Sequence, residues 1–477
     1  MANLKTKRLW DEAWKKLSVF FSPNGQIESP FGQSPVEIDE PLTLYVETTG
    51  SDSGTGSINQ PFKTPQAALD SLKGKTLSDL VTISVGVGSF PGFIINHNDL
   101  NFNRIGKLSI NGTFVSAVLT TGTASGTGTS AVVDGAVVLT DNTQNWTVDE
   151  LRGKFLLSSG VYIPIVSNTA TTITLTQSSG AITTYSLWEH GTKINSGSQT
   201  LTYGGSGTTI CRVGIYGGIV ASTSTGVEII NMQIESTGLS ANQATLSCRG
   251  HSASVTLTSV SLVRTSATAN TLLSISGGGT DVAATRCSFI HPDTTNSSSV
   301  TMAGRSFAPL NCYFYRGAQG FTTTTTAQAY LSFSIGSTFD SCTTGLTLIG
   351  SSAVLQSTGP IRFLNCTTAI AMGTSTADSG RMANAPTGTH TAFFSGCTNC
   401  LTIIRGFAML GACTGTGNTN GIVASLGARV QIAATATLGA STELSVDGTT
   451  GTLATMRGNS PKVFPLTPNA YGTYIYE

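Results

Sequence analysis

FDSCTTGLTLIG (residues 339–350), FLNCTTAIAMG (363–373) and FSGCTNCLTIIRG (394–406) are three copies of one pattern. In each, a phenylalanine precedes a cysteine by three residues: Phe339 and Cys342, Phe363 and Cys366, Phe394 and Cys397. An aliphatic residue follows four after the cysteine (Leu346, Ile370, Leu401) and another six after (Leu348, Met372, Ile403). Apolar residues two apart lie on one side of a strand. The cysteines are 24 and 31 residues apart. That period is short for a helix pair with loops and suits three short strands with three turns. One such coil cannot bury its own inward side chains, whereas stacked coils bury them as continuous columns. The pattern therefore predicts an all-β solenoid, a parallel β-helix, with core ladders of Phe339, Phe363 and Phe394, of Cys342, Cys366 and Cys397, and of Leu346, Ile370 and Leu401. TRCSFI around Cys287 and LNCYFY around Cys312 read as fainter copies. Over residues 196–440, about 25 residues per coil give roughly ten coils and a rod of about 50 Å.

The cysteines follow from the same reading. Nine are present, an odd number, and none precedes Cys211. Small, buried, weakly polar fillers of a ladder explain them better than a disulfide framework does. Cys397 and Cys400 form a CxxC, but no second pair accompanies it and His390 alone does not complete a zinc site. No metal or cofactor is expected.

Composition agrees with a β rod. Glycine (54), serine (55) and threonine (74) together make 38% of the 477 residues, and charged residues only 10%. An ordinary soluble domain has about 25% charged residues. Threonine favours strands and glycine and serine favour turns, so a helical bundle is excluded. Lys+Arg and Asp+Glu are 25 each. A neutral chain gains little from counterion release, which argues against a nucleic-acid partner. No stretch of about 18 apolar residues occurs, so membrane insertion is not expected.

Six segments are read along the chain. Residues 1–22 carry the one clear helical period, with Leu9, Trp10, Ala13, Trp14, Leu17, Phe20 and Phe21 on one stripe. That stripe has to be buried: against the chain's own body, in a bundle with symmetry mates, on a larger particle or on a membrane surface. Residues 23–41 are a proline-rich acidic linker. Residues 42–115 open the solenoid, with Leu42–Glu47 as a strand and Thr64-Pro65 starting a short helix that turns Ala67, Ala68, Leu69 and Leu72 inward. Asp52, in the loop between them, reads as an Asx-turn before it reads as a cation ligand. Residues 116–195, with Trp146, Tyr185 and Trp188, read as an inserted antiparallel β module whose rings form its core more readily than a glycan site. Residues 196–440 are the main solenoid, and 441–477 a C-terminal cap or trimerisation tail.

The stretch YVETTGSDSGTGSINQPFKTPQAALDSL (45–72), followed by the F-x-x-C-x-x-x-[LI] repeats, resembles the right-handed parallel β-helix of bacteriophage tailspikes and related virion appendages. NWTVDELRGK…IVSNTATTITL is similar to accessory modules in phage β-helix proteins. The resemblance covers most of residues 42–440. It implies a homotrimeric virion protein, assembled in a host cytoplasm, with residues 1–41 joined to other virion proteins and its rod turned to a bacterial surface glycan.

Many spikes of that group cut polysaccharide with a carboxylate pair; inversion needs about 6.5–9.5 Å between the two. Residues 200–460 hold eight carboxylates, Glu228, Glu235, Asp281, Asp293, Asp340, Asp378, Glu443 and Asp447, and no two lie at i and i+2. A cross-coil pair such as Glu235 with Asp281 stays open, while His251 and His291 are isolated. Three functions follow: a receptor-binding spike or tail fibre without catalysis, which the sequence favours, a decoration protein of capsid or tail serving as a rod, and a polysaccharide depolymerase. The tail SPKVFPLTPNAYGTYIYE (460–477) has to cover an open solenoid end or cross between subunits. Deleting residues 459–477 is expected to yield aggregated or monomeric protein on size exclusion; an unchanged soluble trimer removes that role.

Overall fold

The computed structural model describes residues 36–476, except 97–98, 103–105, 177–179, 204–206, 218–224, 241–242, 251–252, 266–270, 295–296, 325–329, 334–335, 350–353, 358–359, 374–379, 384–391, 405, 411–412, 426–428, 433–437, 448–452 and 457–472. The stripe from Leu9 to Phe21 lies outside the described residues.

Short strands alternate with corners, and outside the insert and the antiparallel hairpin of Gln199–Tyr203 with Gly207–Gly217 the strands pair in parallel with their counterparts one coil later. Three stacks result, which the chain visits in the order A, B, C. Stack A begins with Leu42–Val46 and Leu80–Val85 and reaches Arg429–Ile432. Stack B is a sheet of 10 strands from Gly88–Pro91 to Cys413–Thr416. Stack C begins with Phe93–Asn96 and ends with Ala440–Asp447. Strands such as Thr271–Thr285 and Ser298–Leu310 run from C into A, which joins those two stacks into one network of 22 strands. The chain is thus a parallel β solenoid. Its opening carries the short helix Pro65–Asp70, capped by Thr64, whose hydroxyl accepts from the Ala67 amide at 3.2 Å. Ala68, Leu69 and Leu72 are buried under the first coils.

Stack B carries the aromatic column. Its register aligns Phe289, Phe314, Phe339, Phe363 and Phe394. Successive ring centroids are 4.6, 4.4, 5.3 and 5.4 Å apart, with planes within 14° of parallel. The coil spacing of about 4.8 Å is close to a comfortable aromatic stacking distance. Burying each ring contributes about 1.5–3 kcal/mol. In stack C, Phe321, Leu346, Ile370, Leu401 and Ile422 align in the same way. Small residues precede them, and at Gly345 both backbone and ring leave no room: a Cβ there would lie 2.6 Å from the Ala369 carbonyl oxygen and 2.8 Å from the Phe363 ring.

The cysteines that flank the phenylalanine column fall on two sides of it, not one. Cys342, Cys366 and Cys397 follow the strands of stack B, whereas Cys287 and Cys312 precede them. TRCSFI and LNCYFY therefore share the phenylalanine register of the later copies but carry cysteine on the opposite side of the ring. All nine cysteines are buried thiols outside any disulfide, including Cys397 and Cys400.

Many corners are turned by single residues in the left-handed region. Between stacks A and B these are Asn231, Ser259, Arg286, Asn311 and Gly336, with φ from 51° to 79°. Between B and C they are Arg316, Ser341, Asn365, Gly396 and Gly417, with φ from 53° to 65°. Each non-glycine residue there costs on the order of 1 kcal/mol. The turn is held because its amide bonds to the next coil, as Ser341 N to Leu364 O at 2.8 Å and Asn365 N to Ser395 O at 2.8 Å.

One corner is replaced by a module. Lys193 pairs with Gln233, so Gly191 stands beneath the corner residue Asn231. Between Lys107–Asn111 of stack A and Thr192–Ser196 of stack B, the chain leaves the solenoid and builds two antiparallel sheets. The strand over residues 125–133 switches from one sheet to the other at Gly128, and Val161–Asn168 does the same at a bulge. The module has its own core, including Trp146, Leu156, Ile163, Tyr185 and Leu187. Residues 192–195, placed in the module by the sequence reading, belong to the solenoid, and Phe114–Ser116 pairs with the module strand Thr184–His190. Two other boundaries differ. Val36–Ile38, within the expected linker, pairs with Lys75–Leu77, and the ladder continues past residue 440.

Phe363→Ala removes one ring from the middle of the stack, and a loss of about 3–5 kcal/mol is expected in denaturant titration. Gly345→Val should destabilise by about 1–3 kcal/mol by crowding the Ala369 carbonyl and the same ring.

Candidate functional site

The described carboxylates between residues 200 and 460 each have a polar partner. Glu228, on the outer wall of stack A, meets Lys107 at 2.7 Å across one coil. Glu235 accepts from Gln233 at 2.8 Å and from Thr237 at 3.2 Å. Asp281 accepts from Ser306 at 2.5 Å, with Arg305 at 3.6 Å. Asp293 pairs with the buried Arg264. Glu235 lies in stack B, where its column continues to Val263, while Asp281 lies in stack A between Ser254 and Ser306. The two are on different walls of the solenoid and do not form a cross-coil pair. Asp378 and the side chains of Glu443 and Asp447 lie outside the described residues, as do His251 and His390.

Asp340 is the most enclosed of the carboxylates, and its partner comes from the module. Arg152 Nη1 reaches Asp340 Oδ2 at 2.7 Å and the Tyr313 hydroxyl at 2.6 Å, while Arg152 Nη2 meets Asp149 at 2.8 Å. The Tyr313 hydroxyl donates to the same Asp340 oxygen at 3.1 Å. The guanidinium also lies 4.4 Å from the centre of the Tyr315 ring. Burial alone would lower the Arg152 pKa, but Tyr313, Asp149 and Asp340 outweigh it and the pKa is raised. Burial, with Asp340 beside it, pushes the Tyr313 phenol well above its ordinary value. Both groups stay protonated at any working pH. The cluster joins module to rod; removing one member of such a buried pair typically costs about 3–5 kcal/mol.

The same contact extends along stack B. Glycines of the module make room for rod side chains: Gly153 for Ile290 and Gly135 for Phe393. Near the neck, His190 Nε2 lies 3.1 Å from Ser261 Oγ. Arg362, in the rung between Asp340 and Phe393, is buried, and burial draws its pKa down to about 10. Sequence reading missed this contact because Arg152 lies 188 residues from Asp340. The only local signal was two tyrosines at outward positions of a repeat otherwise rich in hydroxyls.

At the opening of the solenoid, a cleft of about 700 Å³ is lined by Asp52, Thr55, Phe62, Thr64, Gln66 and Asp70, among others. Asp52 Oδ1 accepts from the Thr64 amide at 2.9 Å, its hydroxyl at 3.0 Å and the Lys63 amide at 3.2 Å. This is not the local Asx-turn expected from the sequence: the carboxylate fastens its loop to the start of the helix eleven and twelve residues on.

No protein-family model matches the chain, and no curated protein matches it either. Among solved structures it is similar to one described as a glycoside hydrolase, at 8% identity over 91% of this chain and 95% of that one, with a TM-score of 0.31. It is similar to the GH136 lacto-N-biosidase from Eubacterium ramulus at 10% identity over 91% and 67%, with a TM-score of 0.39. It is also similar to the tailspike protein gp49 from Pseudomonas phage LKA1, at 10% identity over 82% and 76%, with a TM-score of 0.21. Likenesses at this level carry no functional argument.

Two buried imidazoles set an expected pH response. Burial lowers the pKa of His190 and of His291 from 6.5 to about 3. As pH falls below 6.5 the unfolded chain takes up protons at both sites, which the folded chain refuses until about pH 3. Stability should therefore decline over that window. His190→Gln and His291→Gln together should flatten the decline in melting temperature between pH 6.5 and pH 3.

Proposed function

We propose that the chain is a bacteriophage virion protein: a homotrimeric, tailspike-like appendage, built on a right-handed parallel β-helix, that attaches to a bacterial surface glycan without cutting it. The observation that carries this reading is the use made of charge. Between residues 200 and 460 the described carboxylates Glu228, Asp281, Asp293 and Asp340 are tied to cations or hydroxyls, and Glu235 to Gln233 and Thr237 on its own strand end. A general acid and base need to be free to exchange protons with a substrate. The outer wall of stack A instead aligns hydroxyls, with Thr43 beside Thr82, Tyr45 beside Ser84, and Thr258 beside Thr285. Such a wall suits hydrogen bonding to sugar hydroxyls. In this reading residues 1–41 fasten the rod to the virion through the stripe of Leu9, Trp10, Ala13, Trp14, Leu17, Phe20 and Phe21.

Purified full-length protein is expected to bind the capsule or lipopolysaccharide of its host and to release no new reducing ends or unsaturated products on prolonged incubation. Product release would replace attachment by depolymerisation. A particle reconstruction that places the chain on the capsid shell would replace the tail appendage by a decoration rod.

A further inference from the structure

The three aromatic landmarks of the module do not share one environment. Trp146 and Tyr185 are buried in its core, 2% and 5% exposed, while Trp188 lies on the opposite face and is half-buried. The strand Thr184–His190 alternates, so that Tyr185 and Leu187 turn inward and Ser186 and Trp188 outward. Cross-strand register completes the outer face. One row runs Ser125, Ser186, Leu157, Tyr162. The next runs Ser116, Trp188, Phe155, Pro164. Phe155 and Pro164 are buried where the face approaches the rod, but Trp188, Tyr162 and Leu157 are half-buried and Ser116 and Ser125 exposed.

The two outward rings form a corner. Their centroids are 6.0 Å apart and their planes cross at 84°. Both are locked. Tyr162 stacks on Phe114 at 4.0 Å, Phe114 on His190 at 4.5 Å, and Trp188 Nε1 donates to Ser186 Oγ at 2.7 Å. Neither row holds an acidic or basic residue. A pyranose offers an apolar C–H face to an aromatic plane and equatorial hydroxyls to neighbouring polar groups. Two perpendicular rings bordered by serine hydroxyls match both, and the lack of any charge matches a neutral sugar rather than an anionic one. The rings are carried on paired strands, so little entropy is lost in ordering them.

We propose that this face, centred on Trp188 and Tyr162, is a binding site for a neutral saccharide. The inference rests on the glycan-attachment reading and gives it a location and a ligand class. The test is calorimetric titration of the full-length protein with neutral hexose and N-acetylhexosamine oligosaccharides, with a uronic-acid oligosaccharide alongside. A neutral oligosaccharide should bind, and Trp188→Ala should weaken it about tenfold or more. Ser116→Arg, at an exposed position beside Trp188, should obstruct the face equally without hollowing the protein, its melting temperature unchanged. If both variants bind as tightly as the parent, or only the uronic-acid ligand binds, the site is overturned while glycan attachment stands. If the unmodified protein binds neither oligosaccharide nor host polysaccharide, attachment itself fails and the site with it.

Discussion

Parallel pairing in strict register is the constraint from which the rest of this structure follows. A coil spacing of about 4.8 Å places every inward side chain directly over its counterpart in the previous coil. Residues whose own contact distance matches that spacing are therefore favoured, and a flat aromatic ring matches it well. Five phenylalanines stack through stack B, from Phe289 to Phe394. The rings, together with the backbone of the next coil, require glycine at 345, and thiols small enough to fit beside them. Their register also sets where the backbone turns. Where a corner is turned by one residue, its left-handed geometry is held in most coils by an amide bonded to the next coil.

The same constraint explains where an insertion is tolerated. A residue added inside a strand would shift its whole ladder by one and reverse every side chain. A module added at a corner leaves the registers on both sides intact. The insert enters at that position, beneath Asn231, and then lies along stack B. It is held by buried polar contacts as well as by packing: Arg152 on Asp340 and Tyr313, His190 on Ser261. Such contacts add little net stability compared with apolar packing, but they penalise any other placement of the module.

The solenoid, its columns of Phe339, Phe363 and Phe394, and the buried state of its cysteines were legible in the sequence because they are periodic. A repeat of about 25 residues reports its own contacts: whatever recurs is neighbour to its copy. TRCSFI and LNCYFY were legible as fainter copies, but that Cys287 and Cys312 stand in a different column from Cys342, Cys366 and Cys397 was not, since a cysteine on either side of the ring gives a similar string of letters. The corners were hidden too, because Asn, Ser, Arg and Gly alternate there and only backbone geometry unites them. For the module, an aromatic count could not separate Trp146 from Trp188. That separation depends on which face of a strand looks into the core.

By itself, then, the sequence determined that the chain stacks coils, which side chains line the interior, and where the repeat is interrupted. These are local or periodic properties, and a period is visible without coordinates. Tertiary structure decided which carboxylates meet cations, which ring stays at the surface, and that Arg152 finds Asp340. Such pairings join residues that share no spacing, so nothing in the order of the amino acids announces them until the module folds back against the rod.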